Sequence, residues 1–249
     1  MLTSYQTATQ NLLQNPAAPN PLYATATLTT YINQARGQLA GESKSIRYMG
    51  SLSISAATFP QAYPYSSIVL TNAAAAGIQG VLDVETLWYQ LGTGQQWIRP
   101  RPWPWFSWYE LGANNPAPGP PVVWSQYGQG AASQSSPLPV GGGSLYISPP
   151  PDMTYTVIVD AVCYPIPLVN DTTPEALPYL WTDAVPYFAA YLALLSAQTG
   201  VRTQEADAMF KRYELFVQRA RAAATPLILP GQSPQNTNPT RANQLGQSS

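Results

Sequence analysis

The 249-residue chain contains no histidine and only one cysteine, Cys163. Without imidazole, every catalytic triad or dyad that needs one is excluded, along with most metal sites, and a lone thiol cannot close an internal disulfide. Charge is scarce too. Asp, Glu, Lys and Arg make up 9% of the residues, against about 25% in an ordinary soluble domain. The 11 basic and 12 acidic residues leave a net charge of -1, which argues against a dominant electrostatic partner such as free nucleic acid or an anionic membrane. No run of apolar residues is long enough to span a membrane, and Met1-Leu2-Thr3-Ser4-Tyr5-Gln6 lacks the basic and apolar regions of a signal peptide. The expectation is a protein made and used in a cytosol.

Hydrophobic residues account for 45% of the chain, enough for a real core, and 26 prolines and 17 glycines punctuate it. Leu28, Tyr31, Ile32, Ala35 and Leu39 recur at the spacing of one helix face, with Thr25 or Thr27 as a cap and Gly41 as a stop. A shorter helix over 4–14 precedes it, and the prolines of Asn15-Pro16-Ala17-Ala18-Pro19-Asn20-Pro21 separate the two. From Ile46 onward the apolar period changes to two, the mark of strands. Tyr155 to Val162 is the clearest, with Val81 to Tyr89, Leu145 to Ser148 and Val122 to Trp124 as further candidates. No charge occurs between Glu110 and Asp152, and the Pro, Gly, Ser and Gln of that span read as long loops.

Helical signals return at Asp171-Thr172-Thr173-Pro174-Glu175, a cap with proline in the first turn, and Asp183 with Pro186 restarts or kinks a helix to about Gln198. A long helix then follows Gly200, capped by Thr203, with Ala206, Met209, Phe210, Tyr213, Phe216, Val217 and Ala220 as its apolar stripe. Residues 225–249 hold one charge, Arg241, and cannot bury enough surface to fold alone, apart from the apolar anchor Leu227-Ile228-Leu229. The expected fold class is α+β. It has N-terminal helices over 1–45, a β-rich insertion over 46–170 forming an antiparallel sandwich or barrel, C-terminal helices over 171–224 that pack with the first, and an extended or disordered tail over 225–249.

Four features invite a chemical reading. Asp83 and Glu85 lie two apart on a strand, the arrangement a glycosidase would need, but the same spacing marks the solvent side of a strand. Cys163 follows an apolar strand with no histidine to activate it, so a buried inert thiol is expected. Gly141-Gly142-Gly143-Ser144 lacks the Gly-Lys-Ser/Thr ending of a phosphate loop and reads as a turn. The segment Arg99-Pro100-Arg101-Pro102-Trp103-Pro104-Trp105-Phe106-Ser107-Trp108-Tyr109 sets two arginines among five aromatics. It offers either a stacking platform for sugar rings or unpaired bases, or a proline-stiffened interface loop, and the composition favours the interface. No metal or cofactor site is expected.

Taken together, several patterns resemble the head-to-tail adaptor proteins of short-tailed bacteriophages, the group that includes tail tubular protein A. They are Ile32-Asn33-Gln34-Ala35-Arg36, Leu145 to Asp152 leading into Tyr155-Thr156-Val157-Ile158-Val159, Pro165-Ile166-Pro167-Leu168, Leu177-Pro178-Tyr179, Ala184 to Tyr191, and the helix with Phe210 and Tyr213. The resemblance implies a structural virion protein and not an enzyme: a homo-oligomeric ring, a dodecamer, made in the host cytoplasm and seated between the portal protein and the tail nozzle or tail tube proteins. DNA would pass through its lumen without specific binding, and no membrane is involved. It further implies that Leu227, Ile228, Leu229 and Arg241 of the tail dock on the portal. The alternative is a carbohydrate- or receptor-binding virion module built on the Trp103 to Tyr109 segment.

Overall fold

The computed structural model describes residues 1–14, 22–55, 61–92, 94–111, 116–128, 143–196 and 202–224. Among these, helices stand at both ends of the chain with strands between, and the fold is α+β, as the change of apolar period predicts. The helices are α1 (Leu2–Leu12), α2 (Thr25–Ser43), the single turn α3 (Trp103–Phe106), α4 (Ala184–Ser196) and α5 (Arg202–Ala224). The strands are β1 (Arg47–Ile54), β2 (Ala62–Pro64), β3 (Ile78–Leu91), β4 (Gly94–Pro100), β5 (Val123–Tyr127), β6 (Ser144–Ser148) and β7 (Tyr155–Pro165).

The strands form one sheet in the order β1-β7-β3-β4-β5-β6-β2. It is mixed, where an antiparallel sheet was expected, because β4 and β5 run parallel through the pairs Arg99–Val123 and Pro100–Trp124. The chain leaves β4 through α3 and returns to enter β5 in the same direction, which a hairpin cannot do. The sheet curls until its outer strands approach each other. Beyond β2 a 3-10 turn at Tyr65–Ser67 leads to Val69, which exchanges backbone hydrogen bonds of 2.8 and 3.0 Å with Ser51 of β1. The concave side is filled by alternate residues. On β7, Tyr155, Val157, Val159 and Ala161 are buried while Thr156 is exposed and Ile158 and Asp160 are half-buried, the face assignment that the period of two predicts.

Two glycines let the helical part close onto this sheet. A Cβ at Gly37 of α2 would overlap the Tyr164 ring on β7, so only glycine lets the helix lie so close. Gly77, just before β3, has φ +73°, and its missing side chain leaves room for the Pro174 carbonyl. α4 packs on α1, α2 and α5. The stripe on α5 is the predicted one: Ala206, Tyr213, Val217 and Ala220 are buried, and Phe188 of α4 meets Tyr213 with ring centroids 4.6 Å apart. A continuous core runs from Leu39, Val185 and Tyr213 of the helices to Leu87, Leu145 and Val157 of the sheet.

The helix ends differ from the sequence expectation wherever tertiary packing outweighs a local signal. α2 runs past Gly41 because its buried face continues to Ser43, and it stops at Lys44 in a left-handed conformation, φ 53°. Neither Thr25 nor Thr27 caps it, the N-cap being Ala24. Asp171 to Thr173 start no helix. Asn170 Oδ1 accepts the Thr172 and Thr173 amides, which makes a turn. Asp171 instead accepts the Thr3 amide at 2.8 Å and so caps α1 across 168 residues of sequence. α4 begins only at Ala184, with Pro186 in its first turn, and α5 begins at Arg202, which puts Thr203 inside the helix. Gly200, the Gly141-Gly142 pair, most of the long uncharged span and residues 225–249 with Leu227, Ile228, Leu229 and Arg241 lie outside the described residues.

Candidate interaction surface

The proline-rich aromatic segment is not a loop throughout. Arg99 and Pro100 end β4, whose Arg99 amide donates to the Val122 carbonyl, and the Arg101 amide donates to that of Trp124, both at 2.8 Å. Pro102, extended at φ -58° and ψ 142°, sets the entry to α3, and Pro104 sits in that helix's first turn, where no amide donor is lost. α3 then widens into a π-helical turn over Ser107–Leu111. The turn is tied down at its far end by the Ser148 hydroxyl, which donates to the Glu110 carboxylate.

This local geometry sorts the aromatics into two groups. Trp103 stacks on Tyr127 at 4.4 Å between centroids and lies 4.8 Å from Tyr146, while Phe106 is fully buried beneath it. These two anchor the segment to β5 and β6 and offer no open face for stacking. Facing outward, the Arg101 guanidinium lies 4.9 Å over the Trp105 ring, and Trp105 stacks on Tyr109 at 5.2 Å, a cation–π pair extended by a second ring. Trp108 is 77% exposed, Tyr109 is exposed too, and Val122 just before β5 and Tyr127 at its end are exposed beside them. The seven residues singled out in the sequence thus divide: Trp103 and Phe106 are structural, Arg101 and Trp105 are half-buried, and Arg99, Trp108 and Tyr109 are open.

The carboxylates that suggested a glycosidase have a different occupation. Lys44 Nζ reaches Asp83 Oδ2 at 2.8 Å and Glu85 Oε1 at 2.7 Å, so one ammonium clamps both. Burial works against that ammonium, but hydrogen bonds to the two carboxylates outweigh it and hold the lysine above its ordinary range. Cys163 is fully buried, and burial followed by the charge of Asp160 pushes its thiol up to about 12, so it stays protonated at neutral pH. Among the described residues, no cluster of His, Cys, Asp and Glu could hold a metal, and no helix is long and apolar enough to cross a membrane.

A second surface has no distinctive signal in the sequence. Arg36 of α2 is 1% exposed and holds Glu175 through Nη2 at 2.7 Å and Nε at 3.0 Å, while its Nη1 donates to the Ile166 carbonyl at 2.7 Å. The Tyr5 hydroxyl donates to the same carboxylate at 3.0 Å, and burial followed by the Glu175 charge lifts its phenol well above the ordinary range. Asn33 bonds the amide and carbonyl of Leu168. Three side chains of α1 and α2 therefore strap residues 166–177 onto the helices, and this stretch displays Val169 while the 3-10 turn after it displays Tyr179 and Leu180, all more than 70% exposed. The partners are 130 to 170 residues apart, which no local pattern reports.

Asp83, Glu85 and Glu175 are held in structural pairs, and aromatic and aliphatic groups stand exposed at the α3 end and at Tyr179 and Leu180. The description "SU10 adaptor protein" fits residues 2–233, nearly the whole chain, and the chain belongs to that family. Membership bears out the resemblance to phage head-to-tail adaptors and makes the protein a structural adaptor of the virion. No curated protein matches the chain.

Proposed function

We propose that the chain is the head-to-tail adaptor subunit that forms a ring, a dodecamer, between the portal protein and the tail nozzle or tail tube proteins, with DNA leaving through its lumen. The observation that carries this reading is the adaptor-family match over residues 2–233. The helices of 1–45 and 171–224 build the ring wall, the β-rich part over 46–170 faces tail components, and the extended tail over 225–249 docks on the portal through Leu227, Ile228 and Leu229, with Arg241 beyond them. Two features support contact with other subunits. Trp108, Tyr109, Val122 and Tyr127 leave an aromatic patch open on a charge-poor chain, and Tyr179 and Leu180 stand out from a firmly held turn.

Co-sedimentation with the portal protein of the same phage tests the reading. The full chain is expected to travel with the portal. Removing residues 225–249 is expected to weaken or abolish that binding while leaving helical content, read by circular dichroism, unchanged. A truncated chain that binds as well as the full one would contradict the role of the tail, and a full chain that ignores the portal would contradict the adaptor reading itself.

A further inference from the structure

The scarce charge of this chain is unevenly placed. α5 holds five basic and three acidic residues, a net +2, and the other six basic and nine acidic residues leave the remainder at -3. Earlier in the chain three cations are held in internal pairs, Arg36 with Glu175, Lys44 with Asp83 and Glu85, and Arg47 with Asp160, while Arg99 and Arg101 lie in the aromatic segment. On α5, Lys211, Arg212 and Arg219 are exposed and have no carboxylate within ion-pair distance among the described residues. The packing of the helix fixes where they point. Ala206, Tyr213, Val217 and Ala220 face α2 and α4, so Ala208, Lys211, Arg212, Leu215, Arg219 and Ala222 share the opposite, solvent side at the 3.6-residue period. Asp207 and Glu214 lie on one flank, and Glu205, exposed and seven residues before Arg212, lies on the other.

We propose that this face of α5 is a phosphate-contacting surface that meets the backbone of double-stranded DNA. The proposal deepens the adaptor reading above and rests on it for the presence of DNA. The composition favours phosphate over an acidic protein partner. Arginine is common to both kinds of interface, but protein interfaces place apolar or aromatic anchors at their centre, whereas this stripe has Leu215 alone, and the aromatic anchors lie on α3 and the π-helical turn. Ala208 and Ala222 keep the helix surface low, so a backbone can approach. Lys211 and Arg219 stand about 12 Å apart along the axis at 1.5 Å per residue, far enough that the two reach different phosphates. Three contacts per subunit are few, which reconciles the stripe with a net charge of -1 and with a polymer that must slide past.

The test is fluorescence anisotropy of a labelled DNA duplex with the full chain across a salt series. Three phosphate contacts predict an affinity loss of roughly 40-fold between about 50 and 200 mM salt. The triple variant K211Q/R212Q/R219Q, whose changes are all at exposed positions, is expected to lose binding and salt dependence while keeping its circular dichroism. R99Q, an exposed cation on β4, is expected to keep both. A triple variant with an unchanged salt slope, or a wild-type chain with no salt-sensitive binding at the lowest salt, would overturn the proposal. Portal co-sedimentation of the same variant separates the two readings. Portal binding retained with DNA binding lost supports the phosphate assignment. Portal binding lost, with no DNA binding by the wild type, assigns the stripe to an acidic protein and overturns it.

Discussion

The helical part and the aromatic end of the sheet hold their side chains by opposite means. At the helices, Arg36, Glu175, Tyr5 and Asn33 form a buried polar knot in which the charged groups have several partners each and almost nothing faces water. At the α3 end, Trp103 and Phe106 are packed inward by shape alone, while Trp108 and Tyr109, a few residues on, are left open. The knot specifies how distant pieces of chain meet, since a buried charge without its partner is costly. The aromatic end spends fewer residues on position and keeps surface available. A structural adaptor needs both a part that holds its shape and a face that something else can cover.

The comparison is broken most severely at the knot. Glu175→Ala leaves the Arg36 guanidinium buried without its carboxylate and is expected to cost about 3–5 kcal/mol of stability, measured by denaturant unfolding. A loss under about 1 kcal/mol would show that the pair adds little to the helical part. At the other end, Phe106→Ala opens a cavity under Trp103 and is expected to cost about 3 kcal/mol, with a change in tryptophan fluorescence as the Trp103 stack loosens.

High pH separates the regions more gently. Burial raises the Tyr5 and Tyr213 phenols and the Cys163 thiol, so the folded chain holds these protons more tightly than the unfolded one. Their contribution is complete below the ordinary values of 9.0 for the thiol and 10.0 for the phenols, and it is lost as the pH rises past them. Unfolding midpoints should therefore be flat at neutral pH and fall above about pH 9, and a midpoint that rises with alkali would contradict the burial of these groups. The smallest effect on stability is expected at the open surface. Trp108→Ala should shift it by no more than about 0.5 kcal/mol, yet weaken association with partner subunits in sedimentation.

Much of this was legible from residue order. The period of two over Tyr155 to Val162 gave the right buried face of β7, and the stripe on α5 was correct residue by residue, because both depend on local repetition that packing then reinforces. β1, β2 and β4 were not among the predicted strands, although Leu52 and Ile54 of β1 are buried in alternation with Ser51 and Ser53. Gly94 to Pro100 is mostly polar, and only Ile98 is buried on it. The parallel β4–β5 pair, the clamp of Lys44 on Asp83 and Glu85, and the Arg36–Glu175 pair join residues 24 to 139 positions apart. Such pairings leave no local trace. Within the aromatic segment the composition marked a region but could not sort Phe106 from Trp108, since that division depends on which rings meet Tyr127 and Tyr146.

The most direct test of the central claim is negative-stain imaging with light-scattering mass of the full chain mixed with the portal protein of the same phage. The account predicts closed rings of this chain capping the portal, with a mass that corresponds to twelve copies per ring. A chain that stays monomeric and leaves the portal bare would contradict it.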